Sequence, residues 1–139
     1  MSFLLDTNAF SAIVRAGGDP AIETWLMGVD EDDLFVSVLT VGEICRGLSL
    51  LPPGRRKRDI STATERLIAD YGERVLAVDE ATARRWGDLS ARYRERGVVV
   101  GVVDELIAAT ALRHGLVLVT RNVRHFEQSG CPLLNPWPG

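Results

Sequence analysis

Short apolar runs alternate along this chain with longer segments of mixed polarity. Leu, Val, Ile and Phe dominate these runs, and β-branched and aromatic residues favour extended structure. Short apolar runs bounded by polar residues are typical of strands that are covered on both faces. We therefore predict strands over residues 3–5, 34–38, 74–78 and 116–120, with a short fifth strand at 132–136.

The segments between these runs carry helix signals at their ends. Asp19 precedes Pro20, which is the order of an N-cap and the first helical position. Asp79 can cap the helix that follows it, and Gly115 can end the helix before the fourth strand. The predicted helices span residues 9–15 (ended by Gly17 and Gly18), 19–28, 40–51, 59–71, 80–97 (ended by Gly97) and 104–115, and residues 51–59 and 98–103 are predicted loops.

Strands that alternate with helices favour an α/β fold with a mainly parallel central sheet, here of four to five strands flanked by helices. The chain has 139 residues, a length that predicts a single domain over residues 1–139. No apolar run approaches the roughly 18 residues that span a bilayer. The N-terminal residues also lack the pattern of a secretory signal, so we expect a cytoplasmic protein without membrane contact.

Composition adds two observations. Cys45 and Cys131 have no metal-ligand spacing, and Cys45 follows an apolar residue, so we predict that it is a small core residue. The net charge is −3, yet fifteen of the sixteen basic residues are arginines, and residues 55–58 are all basic. Such a cluster is either a solvated surface or a local attraction for phosphates, to which arginine is well suited.

Three acidic residues are predicted to approach one edge of the sheet. Asp6 ends the first strand, Glu43 lies five residues past the second, and Asp104 opens the helix that leads into the fourth. Thr120 and Asn122 follow the fourth strand. Ligands of open parallel sheets bind beyond the carboxyl ends of the strands, which makes these residues candidates for a functional site.

Each acid also has a structural explanation. Asp6 and Asn8 fit an Asx turn, Thr40 and Glu43 fit a capping box, and Asp104 can complement a helix dipole. Taken together, three acids at one edge repel one another and raise their pKa values unless a cation neutralises them. Oxygen ligands without Cys or His suit Mg²⁺, with Mn²⁺ as a substitute.

Four motifs in this order and spacing resemble a known family. They are "LLDTN" at 4–8, "VGEICRGL" at 41–48, "VDELIAATALRHGLVLVTRNVRHF" at 103–126 and "LLNPW" at 133–137. Together they cover almost the whole chain and resemble the PIN-domain ribonucleases, specifically the VapC toxins of type II toxin–antitoxin pairs. The resemblance implies a three-layer PIN-like fold.

The resemblance also implies a site and a reaction. Asp6, Glu43, Asp104 and Asn122 would be the catalytic residues of a Mg²⁺-dependent endoribonuclease, and Asp6 and Asp104 would hold the metal. Asn8 and Thr120 would orient the substrate. His125 stands where related sequences often carry aspartate; it either packs at the end of its segment or faces the site.

The resemblance further implies three partners. These are an RNA substrate, a cognate VapB-type antitoxin and a second copy of the chain in a homodimer, and DNA would be met only through the antitoxin. Trp25, Leu26 and Met27 support the dimer, because the segment carries more large apolar side chains than one buried helix face requires.

Three other classes compete with this interpretation. A haloacid-dehalogenase phosphatase also begins with a strand and an aspartate, but it needs a second aspartate where this chain has Asn8, and the only lysine is Lys57. A receiver domain is disfavoured for the same reasons. The remaining alternative is a catalytically weakened PIN-like module that binds RNA or protein; metal-dependent cleavage of RNA separates it from the enzyme.

Overall fold

The computed structural model describes residues 1–15 and 18–138, which form one parallel sheet with helices on both faces. The sheet order is β3-β2-β1-β4-β5, and every neighbouring pair is parallel. This arrangement confirms the predicted α/β fold. The strands are β1 (Phe3–Leu5), β2 (Leu34–Ser37), β3 (Val75–Leu76), β4 (Val117–Val119) and β5 (Leu133–Leu134).

The helices form two outer layers around separate apolar cores. Because side chains alternate along a strand, Phe3 and Leu5 of β1 join one core and Leu4 joins the other. The helices are α1 (Thr7–Val14), α2 (Pro20–Leu26), α3 (Val38–Ser49), α4 (Arg55–Tyr71), α5 (Glu80–Glu95), α6 (Val102–His114) and α7 (Val123–Phe126). The first core also takes residues of α1, α2 and α4, and the second takes residues of α5 and α6.

Several predicted helix ends are confirmed. Asp19 caps α2 through the Ala21 N–H, and Asp79 caps α5 through the Thr82 N–H. Gly115 ends α6 with a φ of 65°, in the left-handed region that glycine adopts at little cost. The prediction that Gly17 ends α1 falls outside the described residues.

Other boundaries were predicted wrongly. α1 begins at Thr7 rather than residue 9, because Asp6 is its cap. α3 begins at Val38 rather than Thr40, because the Ser37 side chain accepts the Leu39 N–H. The predicted loop at 51–59 ends early, so the basic residues 55–58 form the first turn of α4. β3 is also shorter than predicted, with two residues.

The core prediction for Cys45 is wrong, since Cys45 is exposed on α3. Its neighbour Ile44 instead packs against the first core. None of the helices in the described part of the chain is long and apolar enough to cross a membrane.

Candidate active site

The site lies where the central strands end. Asp6 directly follows β1, and its backbone N–H donates to the Val119 carbonyl at 3.0 Å. Thr120 follows β4, and its N–H donates to the Leu134 carbonyl at 3.0 Å. The parallel register of β1 and β4 therefore places Asp6 and Thr120 at the same edge of the sheet.

Asp6 is a buried carboxylate, with only 5% of the residue exposed. Its Oδ1 accepts the Ala9 N–H at 2.8 Å, so it caps α1. Burial raises the pKa of Asp6, and the negative charge of Asp104 raises it further. Hydrogen bonds from the Thr120 hydroxyl and from the amides of Ala9 and Asn8 oppose this shift in the pKa without cancelling it. The fold thus holds the Asp6 carboxylate where its negative charge is unfavourable.

Glu43 lies in α3 and reaches the first residue of α1. Its Oε1 accepts a hydrogen bond from the Thr7 hydroxyl, which also lies 3.3 Å from the hydroxyl of Thr40. The capping-box explanation is therefore wrong: Ser37 is the cap of α3, and Thr40 is buried inside that helix. The Glu43 side chain is directed to the residue next to Asp6 rather than to its own helix end.

Asp104 lies in the first turn of α6 and contacts His125. The distance from its Oδ2 to the His125 Nε2 is 3.3 Å. Burial raises the pKa of Asp104; the nearby His125 lowers it, and the charge of Glu43 raises it. This contact favours the alternative in which His125 faces the site, although its ring also packs edge-on against Phe126.

The predicted orienting residues surround Asp6 in different ways. The buried Thr120 hydroxyl accepts the Asn122 N–H at 3.0 Å and hydrogen bonds to Asp6. Asn122 is exposed at the start of α7, and its side chain makes no capping bond there. Asn8 is exposed in α1, and it hydrogen bonds to Asp6 through its backbone N–H rather than through its side chain. The predicted Asx turn is a helix cap instead.

The three acids lie within electrostatic reach of one another but do not form a ready ligand cage. Across residues 1–15 and 18–138, no three His, Cys, Asp or Glu side chains are placed to hold a metal ion together. Each carboxylate instead contacts a protein group: Asp6 accepts the Ala9 backbone N–H, Glu43 accepts the Thr7 hydroxyl, and Asp104 lies 3.3 Å from the His125 imidazole. The charges still couple, from Glu43 to Asp104 and from Asp104 to Asp6.

The donor chemistry fits a hard divalent cation. The side chains are carboxylates, and two of them have raised pKa values that a nearby positive charge would relieve. A cation would have to compete with the present hydrogen-bond donors for their oxygens.

Sequence reasoning missed two contacts of this site. The contact of Thr7 with Glu43 was not predicted; the available signal was the place of Thr7 between Asp6 and Asn8 in the sequence. The contact between His125 and Asp104 joins two helices and has no local signal.

A polar cavity of about 430 Å³ adjoins His125 and Asn122, and it is also lined by Arg121 and Arg124.

Comparison with known proteins identifies the family. The sequence profile of the PIN domain matches residues 3–129. VapC ribonuclease Y4jK of Sinorhizobium fredii is 35% identical over 135 residues, which cover 96% of each chain. The crystal structure of FitAcB from Neisseria gonorrhoeae matches with a TM-score of 0.89 at 30% identity, over 97% of this chain and 98% of that one. FitAB bound to an IR36 DNA fragment gives a TM-score of 0.90 at 29% identity, over 98% and 96%.

The parallel sheet with carboxylates at its carboxyl edge is that of a PIN-domain protein. The chain belongs to this family, and within it to the VapC toxins of type II toxin–antitoxin systems. The match confirms the resemblance in the four sequence motifs, and it decides against the phosphatase and receiver alternatives.

Proposed function

We propose that this chain is the toxin of a toxin–antitoxin pair and acts as a metal-dependent endoribonuclease. Asp6, Glu43 and Asp104 are its acidic site residues, and Asn122 completes the catalytic set. The observation that carries this assignment is the convergence of the three acids: each comes from a different helix or its cap, and they meet at the carboxyl edge of the sheet. Burial raises the pKa values of Asp6 and Asp104, and the charge of a neighbouring acid raises each further. Carboxylates that repel one another at a ligand-binding edge are most readily tolerated when a bound cation neutralises their charge.

Asp6 and Asp104 would hold the Mg²⁺, and Mn²⁺ would substitute. When bound, the ion supplies a water of lowered pKa and stabilises charge on the phosphoryl oxygens. Glu43 adds negative charge that strengthens the attraction for the cation, and Thr7 fixes its orientation. Metal binding needs the Thr7 hydroxyl to release or share its hydrogen bond to Glu43, and His125 to give room beside Asp104.

The neutral residues act on the substrate. Thr120 is fixed at the base of the site by its bond to the Asn122 amide, so its hydroxyl keeps the Asp6 carboxylate in place. The exposed side chains of Asn8 and Asn122 are free to donate hydrogen bonds to a phosphate oxygen or to the attacking water. Because water is the nucleophile, the 2′-hydroxyl has no part in bond cleavage.

The test is cleavage of a mixed pool of RNA with and without Mg²⁺, followed by mapping of the ends. We expect cleavage only with Mg²⁺ or Mn²⁺, and product ends without a 2′,3′-cyclic phosphate. Full activity in EDTA would contradict the metal assignment. Binding of RNA without any cleavage would support the binding-module alternative instead.

His125→Asp should lower the metal concentration needed for half-maximal cleavage. The position faces Asp104 at 3.3 Å, so a carboxylate there adds an oxygen ligand and a negative charge beside it. His125→Asn is the control, because it removes the imidazole without adding a carboxylate. An unchanged Mg²⁺ titration curve in the aspartate variant would show that residue 125 does not affect metal binding.

A cognate VapB-type antitoxin is the proposed protein partner. Among solved relatives, FitAB is one that is bound to a DNA fragment. We propose by analogy that this chain also joins an antitoxin and meets DNA only through it. Inhibition of RNA cleavage by the co-expressed partner, restored on its removal, is the expected result.

A homodimer is proposed on residues that differ in part from those named in the sequence. Trp25 and Leu26 pack against the first core, whereas Met27 is 82% exposed. Val99 and Val102 are also exposed, at 95% and 55%, just before Asp104. Apolar side chains exposed beside a site mark a surface that a second chain can cover.

Light scattering at micromolar concentration should therefore give the mass of a dimer. Val99→Asp should shift it toward the monomer, because a charge in an apolar interface is costly. Leu50→Asp serves as the control, since Leu50 is also exposed, at 79%, but lies at the end of α3. A monomeric wild type across this concentration range would refute the dimer.

A further inference from the structure

A groove of about 910 Å³ opens between α1, α3 and α4. Its volume lies within the range of roughly 300–1,000 Å³ that small-molecule pockets occupy. Its walls are mainly aliphatic, with Val14, Ile44, Leu48 and Ile60 among the lining residues. No aromatic side chain is among the described residues that line it.

One part of this groove is the candidate active site itself. Thr7 and Glu43 are lining residues, and they are joined by the hydrogen bond between the Thr7 hydroxyl and Glu43 Oε1. An RNA strand whose phosphodiester reaches the acids must leave the site in two directions. The groove adjoins the site at Glu43 and can provide one of these directions, and the separate polar cavity adjoins it at Asn122 and His125.

The groove is also lined by three arginines. Arg15 follows α1, and Arg55 and Arg56 stand in the first turn of α4. Arginines in a first turn oppose the helix dipole, and α4 has neither an acidic residue in that turn nor a side-chain cap. Glu43 and Asp59 also line the groove, so its three arginines exceed its acids by one, whereas the chain as a whole carries a net charge of −3.

We propose that the groove binds the single-stranded RNA that flanks the scissile phosphodiester. Arg55 and Arg56 contact phosphates, and bases lie against the aliphatic wall or stack on the guanidinium planes. The groove is thus the part of the enzyme that holds the substrate away from the reacting bond. This inference rests on the proposed ribonuclease function, which it extends from the acids to the path of the RNA.

The test compares two double variants with the same change in charge. Arg55→Glu with Arg56→Glu reverses two lining residues, whereas Lys57→Glu with Arg58→Glu reverses two residues of the same turn that do not line the groove. Glutamate in a first turn favours the helix dipole, so both proteins should fold at least as well as the wild type. Melting curves verify this before activity is measured.

We expect the Arg55 and Arg56 double variant to raise the KM for single-stranded RNA by about tenfold or more, since it loses two phosphate contacts. The change should appear in KM rather than kcat, because neither arginine touches the reacting bond. Each phosphate contact to a single strand contributes about 0.7 to the slope of log affinity against log salt concentration. The loss of two contacts should therefore make this slope shallower by about 1.4. The Lys57 and Arg58 control should change KM less than about twofold. At physiological salt, charges that do not contact the RNA are largely screened.

Affinity is measured separately in a background of Asp104→Asn, by fluorescence anisotropy of a labelled mixed-sequence RNA oligonucleotide. This keeps the inference apart from the proposed function. A wild type that cleaves no RNA defeats the function, while anisotropy still tests the groove. If the wild type cleaves RNA and the two double variants behave alike, the groove assignment is overturned. If the Arg55 and Arg56 variant cleaves RNA normally but escapes its antitoxin, the groove is a protein-docking surface instead.

Discussion

Asp6→Asn and Asp104→Asn should each reduce Mg²⁺-dependent RNA cleavage by at least about 100-fold, the scale of losing one preorganised electrostatic contact in an active site. Each substitution removes a negative charge that we assign to metal binding and leaves the shape of the side chain almost unchanged. Single-turnover cleavage at saturating RNA is the measurement. Full activity of either variant would defeat the metal assignment.

The same Asp6 variant should raise the melting temperature of the metal-free protein at neutral pH. A raised carboxyl pKa means that the fold disfavours the charged form, so the charge of Asp6 destabilises the protein above the folded pKa. This penalty fades as the pH falls through the folded pKa toward 3.8, the ordinary pKa of an aspartate side chain. Asparagine has no such charge and still accepts the Ala9 N–H as a helix cap. Loss of stability at neutral pH would contradict this account.

Asp79→Asn is the matched control for Asp6→Asn. Both residues cap a helix by accepting an N–H three positions ahead at 2.8 Å. Hydrogen bonds from Thr82 lower the pKa of Asp79, so its charge stabilises the fold at neutral pH and this contribution is lost as the pH falls through the lowered folded pKa. Asp79→Asn should therefore lower the melting temperature slightly and leave cleavage unchanged. The two substitutions have opposite expected signs on stability.

Glu43→Gln should also abolish most cleavage, with little change in melting temperature. Glutamine keeps an oxygen that can accept the Thr7 hydroxyl, so the contact between α1 and α3 survives. Only the negative charge is lost, and with it a part of the attraction for the cation. We expect a loss of about 10- to 100-fold, as for residues that support a metal ligand, and more if Glu43 is itself a ligand.

Glu105→Gln is the control for this change. Glu105 is a buried glutamate whose Oε1 accepts the Trp86 indole N–H at 3.0 Å, and glutamine can accept the same bond. It should keep cleavage while Glu43→Gln does not. Retained activity in Glu43→Gln would return Glu43 to a structural role, in which it only joins α1 to α3.

Local sequence signals predicted most of the fold. All five strands were placed because short apolar runs bounded by polar residues have few other stable arrangements. The caps at Asp19 and Asp79 and the glycine end at Gly115 were predicted because each acts within a few residues of its own helix. Four motifs, in their order and spacing together, predicted the family, which the comparisons confirm.

The sequence could not predict choices between two local signals of similar strength. Ser37 and Thr40 are both good caps, and the structure uses Ser37 because Thr40 is buried beside Thr7. Residues 55–58 looked like a loop after two prolines, but they begin α4. Cys45 was predicted in the core by its apolar neighbour, yet the helix turns it to solvent.

The sequence by itself determined the strands, the family and the presence of the three acids. Only the tertiary structure decided what each acid touches: Glu43 meets Thr7 across 36 positions of the chain, and Asp104 meets His125 in another helix. The physical reason is that a cap or a strand depends on neighbours along the chain, whereas these contacts depend on how separate helices pack around the sheet. That packing also places Arg55 and Arg56 in the groove that we assign to RNA.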